Sequence, residues 1–279
     1  MTQASASTLR RCAGLALGVG TQAAFAITVV YLFSFLRYGA FSDSRHWVAW
    51  DTMLALQFAI PHSLLLHPTT RKKLRPWITP EFYGVFFCLC TCASLGLIFR
   101  YWKAHPVVVW DLEGPAQTAM LAGFGFAWVS LLYSIHLTGL GYQTGWTQWL
   151  HWWNGRKQPR REFIPTSVYH VLRHPIYLSF LGLIWLTPRM SLDHALLTGI
   201  WTVYIFAGSA LKDARLQFWL GESYLQYRQR VPGYPFFPGR LLGKAEQTAP
   251  VETPEVLPFS LAIPSHSADS SEPPRSRAA

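Results

Sequence analysis

The chain has 279 residues, of which 51% are hydrophobic, 15% aromatic and only 14% charged, a balance too apolar for an ordinary soluble domain. Its formal charge of +10 raises nucleic acid as a partner, but Lys and Arg cluster in loops between apolar runs instead of on one face. That pattern excludes nucleic-acid binding as the leading reading and points to a polytopic protein facing anionic lipid.

The first apolar run, about Cys12 to Leu36, follows Arg10 and Arg11 and is long enough to span a bilayer. No small-residue cleavage site stands out after it, so a retained first span is expected. A second run, Trp47 to Leu66, carries Asp51, Gln57, Pro61, His62 and Ser63. Polar groups in a membrane helix generally face the bundle interior, which makes His62 and Ser63 substrate-side candidates. Asp51 and His62 lie about 16 Å apart along such a helix, too far to form a dyad.

After the basic loop of Arg71, Lys72, Lys73 and Arg75, a third span covers about Phe82 to Phe99, and an aromatic, mixed-charge loop through Trp102, Trp110 and Asp111 follows. Cys12, Cys88, Cys90 and Cys92 all fall in spans and offer neither a disulfide framework nor a zinc pattern. The fourth span is about Gln117 to Leu137, where Gly123 and Gly125 are expected to let a neighbouring helix approach. Between Leu140 and Pro165, Trp146, Trp149, Trp152 and Trp153 precede Arg156, Lys157, Arg160 and Arg161, the composition of an interface-lying segment.

The stretch from Val168 to Pro188 carries the polar cluster Arg173-His174-Pro175-x-Tyr177 at the entry to an apolar helix. Pro175 suits a first helical turn, so Arg173 and His174 belong at a helix N-terminus, which attracts anions. This fifth span, about Ile176 to Leu186, is short, and is expected either to begin earlier, near Ser167, or to pack inside the bundle. Thr187-Pro188 breaks it, and Ser191 or Asp193 caps a sixth run, Ala195 to Leu211. Beyond it, Leu216, Leu220, Tyr224, Tyr227 and Val231 recur at helical spacing as an amphipathic stripe. From Lys244 the chain turns to Pro, Ser, Ala and Glu without periodicity, a disordered tail.

The expected fold is therefore all-α: a polytopic integral membrane helical bundle of about six transmembrane helices with a C-terminal amphipathic helix. Residues 1–46 form a first helix and loop, 47–166 the central helices and interface segment, 167–240 the hairpin with its C-terminal helix, and 241–279 the tail. In a six-span arrangement nineteen Lys and Arg fall on one side against five on the other. This places both termini in the cytoplasm and the Arg173-His174 cluster on the same side as Asp213. A bacterial inner membrane fits such a chain.

Tyr169-His170-Val171-Leu172-Arg173-His174-Pro175-Ile176-Tyr177-Leu178, the Trp185-x-Thr-Pro-x-Met190 turn and Gly221-x-x-Tyr224-x-x-Tyr227-Arg228-x-x-Val231-Pro232 carry a resemblance. They look like the carboxyl-terminal signature of the isoprenylcysteine carboxyl methyltransferase and phospholipid methyltransferase superfamily, and within it most resemble the methanethiol S-methyltransferase family. Similarity covers roughly Leu54 to Pro238. The resemblance implies a membrane enzyme that binds S-adenosyl-L-methionine between hairpin and C-terminal helix and methylates a small thiol or a lipid-borne acceptor. It implies Arg173, His174 and Tyr177 as catalytic residues. Arg173, His174, Asp213, Tyr224, Tyr227 and Arg228 are the implied cofactor-binding residues, with Arg173 on the cofactor carboxylate. Family members usually carry two adjacent glutamates where this chain has Lys212-Asp213. Neighbouring helical positions point about 100° apart, so with Asp213 inward Lys212 is expected to turn out to headgroup phosphates. Two further classes stay open: a binding or structural relative without turnover, which Lys212 favours, and a haem-binding carrier with His62, His136 and His174 as axial ligands. The oligomeric state is not legible.

Overall fold

A computed structural model describes residues 3–40, 46–157 and 164–235, with residues 3–10 as backbone alone. The expected tail from Lys244 lies outside the described residues, as do Arg160 and Arg161. In chain order the elements are α1 (Gln3–Tyr38), α2 (Trp47–Leu66), α3 (Pro68–Leu74), α4 (Pro80–Tyr101), β1 (Val108–Asp111), α5 (Gly114–Thr138), α6 (Leu140–Gln143) and α7 (Trp146–Trp153). A 3₁₀ turn (Ser167–His170) leads to α8 (Pro175–Trp185), β2 (Arg189–Ser191), α9 (Leu192–Leu220) and α10 (Glu222–Arg230). The protein is an all-α polytopic membrane bundle. Among the described residues, four helices are long and apolar enough to cross a membrane: Arg11–Tyr38, Pro80–Tyr101, Gly114–Thr138 and Leu192–Leu220. Their outer faces carry apolar side chains such as Ile27, Phe126, Val129 and Val203, suited to lipid.

The polar load of the second run keeps α2 out of that set, yet the run folds as one 20-residue helix through Pro61. It packs between α4 and α9. The fifth run is the more consequential difference. Its helix does not begin near Ser167; it starts at Pro175, whose fixed φ suits the first turn, and ends where Thr187 precedes Pro188. Eleven residues reach about 16 Å, half of a hydrocarbon core. Helix α8 lies against α5 and α9 and buries Pro175, Ser179, Leu183 and Ile184. Leu36, Ala55, Ile98, Leu131 and Leu197 complete the core around it.

The chain after α8 turns through a two-stranded ribbon in which β2 pairs antiparallel with β1, Val108 opposite Ser191 and Asp111 opposite Arg189. Asp193 does not cap α9. Its carboxylate accepts hydrogen bonds from Trp102 Nε1 (3.2 Å) and the His105 amide (2.9 Å), while buried Asp51 accepts from the Lys103 amide (3.0 Å). Two carboxylates thus pin the loop between α4 and β1.

Four further expectations are corrected. The sixth run continues to Leu220, because nothing between Leu211 and Gly221 breaks a helix, and so Asp213 belongs to the same helix as Trp201. Gly221 then reverses the chain at φ +57°, which divides the supposed stripe: Leu216 and Leu220 lie on α9, Tyr224 and Tyr227 on α10. Of the two α5 glycines only Gly123 meets a neighbour, Leu186; Gly125 faces open space. Among the tryptophans expected at the interface, Trp149 is buried and donates from Nε1 to the Gly14 carbonyl (2.7 Å), docking α7 on α1.

Candidate functional site

Burying a carboxylate requires partners that replace its water, and Asp213 has four. It stands on the inward face of α9 at 2% exposure. Arg173 Nη2 lies 3.0 Å from Oδ2, His174 Nε2 lies 3.2 Å from Oδ1, and Tyr224 donates its hydroxyl to Oδ1. Arg228 Nε stands further off, at 3.9 Å from Oδ2. Arg173 and His174 are themselves 1% and 0% exposed. Pro175 positions both, because it begins α8 and leaves His174 at the N-cap with Arg173 just before it. The cluster therefore joins the start of α8, the last turns of α9 and the middle of α10.

Sequence reasoning gives Arg173 to a cofactor carboxylate; in the structure its hydrogen bonds run to the protein's own backbone. Nη1 of Arg173 donates to the carbonyls of Arg228 and Val231, both at 2.9 Å, and its own amide donates to the Pro232 carbonyl at 2.9 Å. The guanidinium clamps the chain end of α10 onto the hairpin, with Asp213 as counter-ion. Tyr227 works alike: its hydroxyl donates to the Tyr169 carbonyl (2.6 Å), and burial pushes the phenol up to about 12. Tyr224 is pushed up as well, first by burial and then by the Asp213 charge it faces. Arg228 also donates to Gln217 Oε1 at 3.2 Å.

His174 is the group with spare capacity. Its Nε2 faces Asp213, which assigns that nitrogen the proton. Nδ1 is buried without a hydrogen-bond partner among the described residues. Burial pulls its pKa below the ordinary value; the Asp213 hydrogen bond and charge resist this, and Lys212 and Arg173 add to it. The Tyr177 ring stands nearly perpendicular to that of His174 at a centroid distance of 5.5 Å, and its hydroxyl donates to the Gly208 carbonyl of α9 (3.3 Å).

Lys212 does not turn out to headgroups. Its ammonium sits over the rings of Tyr177 and Tyr169, 5.6 and 5.8 Å from their centroids, and 3.5 Å from the Arg173 carbonyl. His62 and Ser63 stand apart from Asp213 on α2. His62 shares a hydrogen bond with Thr91 (3.3 Å) among the rings of Phe58, Phe87 and Tyr204, and Ser63 bonds Tyr204 of α9. Among the described residues no three His, Cys, Asp or Glu side chains are grouped to hold a metal ion. Two members were missed in the sequence: Tyr169, whose ring faces Lys212, and Tyr234, 1% exposed, whose ring lies 5.4 Å from His174. The Val231-Pro232 turn that carries Tyr234 back was the available signal.

Fold and site together define a polytopic membrane protein whose C-terminal helices close over a buried Arg-His-Asp-Tyr cluster. The chain is similar to methanethiol S-methyltransferase 1 of Bradyrhizobium diazoefficiens, 28% identical over 228 residues that cover 77% of this chain and 79% of that one. It is 29% identical to the methanethiol S-methyltransferase of Pseudomonas sp. strain GM41(2012) over 248 residues, covering 85% and 93%. Nurim of Rattus norvegicus is 26% identical over 185 residues, 61% of this chain and 68% of nurim. Similarity to proteins named methanethiol S-methyltransferase thus extends beyond the motifs, over most of the chain. No protein-family model matches it, and no solved structure does.

Proposed function

We propose that the chain is an integral-membrane methyltransferase that moves a methyl group from S-adenosyl-L-methionine to the sulfur of a small thiol of the methanethiol type. The observation that carries this reading is the similarity to methanethiol S-methyltransferases over about four-fifths of the chain. Two features of the site fit such a cofactor. His174 Nδ1 is an orphaned buried acceptor of the kind a polar ligand group satisfies. Tyr169 and Tyr177 already hold one cation on their faces, and an ammonium or sulfonium suits the same surface.

When bound, S-adenosylmethionine supplies a methyl group activated by its sulfonium. The chain's own residues orient and deprotonate. Asp213 keeps the proton of His174 on Nε2, so Nδ1 is left as the acceptor for the thiol proton; because burial favours neutral imidazole, that nitrogen is available at neutral pH. Tyr224 fixes Asp213, and Arg173 with Arg228 positions the strap that carries Tyr234 over the imidazole. We place the chain in a bacterial inner membrane, with both termini on the cytoplasmic side that the cation asymmetry favours. One observation favours a binding protein without turnover: the Lys212 ammonium beside the cluster repels a cationic donor. Methyl-labelled cofactor supplied to membranes with thiols, isoprenylcysteines and phospholipid amines tests both. Label on a thiol is expected; donor binding with no labelled product would leave the second reading standing.

A further inference from the structure

Charge at this end of the bundle does not balance. Arg173 and Arg228 face one carboxylate, Asp213, and two further cations, Lys212 and Arg215, follow on the same stretch of α9. Among the described residues, the ion pairs of the cluster all run to Asp213, and neither Lys212 nor Arg215 takes part in one. The two are three residues apart on α9 and therefore share a face. Arg215 is half-buried, and it acts electrostatically on Lys212, on Tyr177 of α8, on Tyr204 of α9 and on His62 of α2. Two half-buried like charges thus stand together on α9, Lys212 compensated by the neighbouring Asp213 charge, the faces of Tyr169 and Tyr177 and the Arg173 carbonyl, and neither of them closed into an ion pair. Partly buried charges of one sign repel strongly in such surroundings, and an anion placed between them removes the cost.

We propose that Lys212 and Arg215 receive a carboxylate carried by the methyl acceptor, so that among small thiols a mercaptocarboxylate is preferred over its neutral analogue. This rests on the methyltransferase reading above. The donor is the weaker source of that anion: S-adenosylmethionine has one carboxylate against an ammonium and a sulfonium, so its arrival adds positive charge to a site already in excess. A thiol bearing a carboxylate contributes one negative charge on binding and a second as its sulfur ionises. Arg215 supplies a planar fork for the carboxylate and Lys212 a point charge already desolvated on Tyr169 and Tyr177, an arrangement that costs little further ordering. His62 and Ser63 then line the approach from α2, which accounts for polar groups on that helix face.

Purified full-length protein in detergent is titrated calorimetrically with 3-mercaptopropionate and with 1-propanethiol, which replaces the carboxylate by a methyl group. Binding of the first, with a loss of about tenfold or more in each of Lys212→Gln and Arg215→Gln, is the expected result, since each removes one charge-assisted hydrogen bond. Lys212→Arg should restore most of it. 1-Propanethiol binding as tight as that of 3-mercaptopropionate, or no binding of either thiol, overturns the inference. So does a loss of S-adenosylmethionine binding in the two Gln variants with mercaptopropionate binding intact, which would assign the pair to the donor. Lys212-dependent binding of 3-mercaptopropionate without its methylation supports the anion site while removing the methyltransferase reading.

Discussion

Deleting the carboxylate of Asp213 is the sharpest perturbation of the cluster. Asp213→Ala leaves Arg173 and His174, 1% and 0% exposed, without their common anion, and strands the Tyr224 hydroxyl. Breaking a buried ion pair from one side costs about 3–5 kcal/mol, because the remaining charge stays desolvated. At about 2–4 °C per kcal/mol, the loss corresponds to roughly 6–20 °C in the midpoint of thermal unfolding. Fluorescence-detected melting of the detergent-purified protein reads it. The companion variant Arg173→Met/Asp213→Leu removes both charges and should recover most of that stability, since apolar replacement of a whole buried pair is often neutral. Asp213→Glu keeps the charge and should retain donor binding. A loss below about 1 kcal/mol in Asp213→Ala, the range of a solvent-exposed pair, would refute the desolvated cluster.

Topology is tested with single cysteines in a thiol-free background: Glu113→Cys should react with an impermeant reagent from outside and Lys157→Cys should not, and labelling of Lys157→Cys alone would reverse the orientation. For pH, His174 is held below its ordinary value of 6.5 in the folded protein, so the stability it contributes is present above that value and is lost as pH falls through the folded pKa. His174→Gln should therefore show a smaller drop in melting midpoint between pH 7.5 and 5.5 than the unsubstituted protein; an equal drop would assign the acid sensitivity elsewhere. Gly145 combines φ +78° with backbone contact, since an added Cβ would lie 2.2 Å from the Val85 amide nitrogen. Gly155 has φ +64° with open space around it. Gly155→Ala should cost about 1 kcal/mol and Gly145→Ala markedly more, read as melting midpoint and yield.

What the sequence made legible was what local rules govern. Pro175 announced the start of α8, the apolar runs announced their helices, and the Tyr224-x-x-Tyr227 spacing announced a face of α10. What it hid were partners brought together by chain reversal. Arg173 reads as a free cation at a helix N-terminus until Gly221 turns α10 back and offers it the carbonyls of Arg228 and Val231. Trp149 reads as an interfacial aromatic until Gly145 lets α7 close against α4 and α1. Lys212 is the instructive case. Side-chain periodicity correctly separates it from Asp213, and solvation arguments then send its ammonium to the headgroups. The ammonium finds instead the faces of Tyr169 and Tyr177, and of these Tyr169 lies in the 3₁₀ turn before α8, outside the α-helical period. A desolvated cation is retained there against the repulsion of Arg173 and Arg215. Tyrosine faces contribute about 0.5–2 kcal/mol each to holding a cation, which does not offset several cations gathered around a single carboxylate. A negatively charged ligand supplies the further compensation proposed above, and of the two substrates it is the acceptor, not the cationic donor, that brings net negative charge.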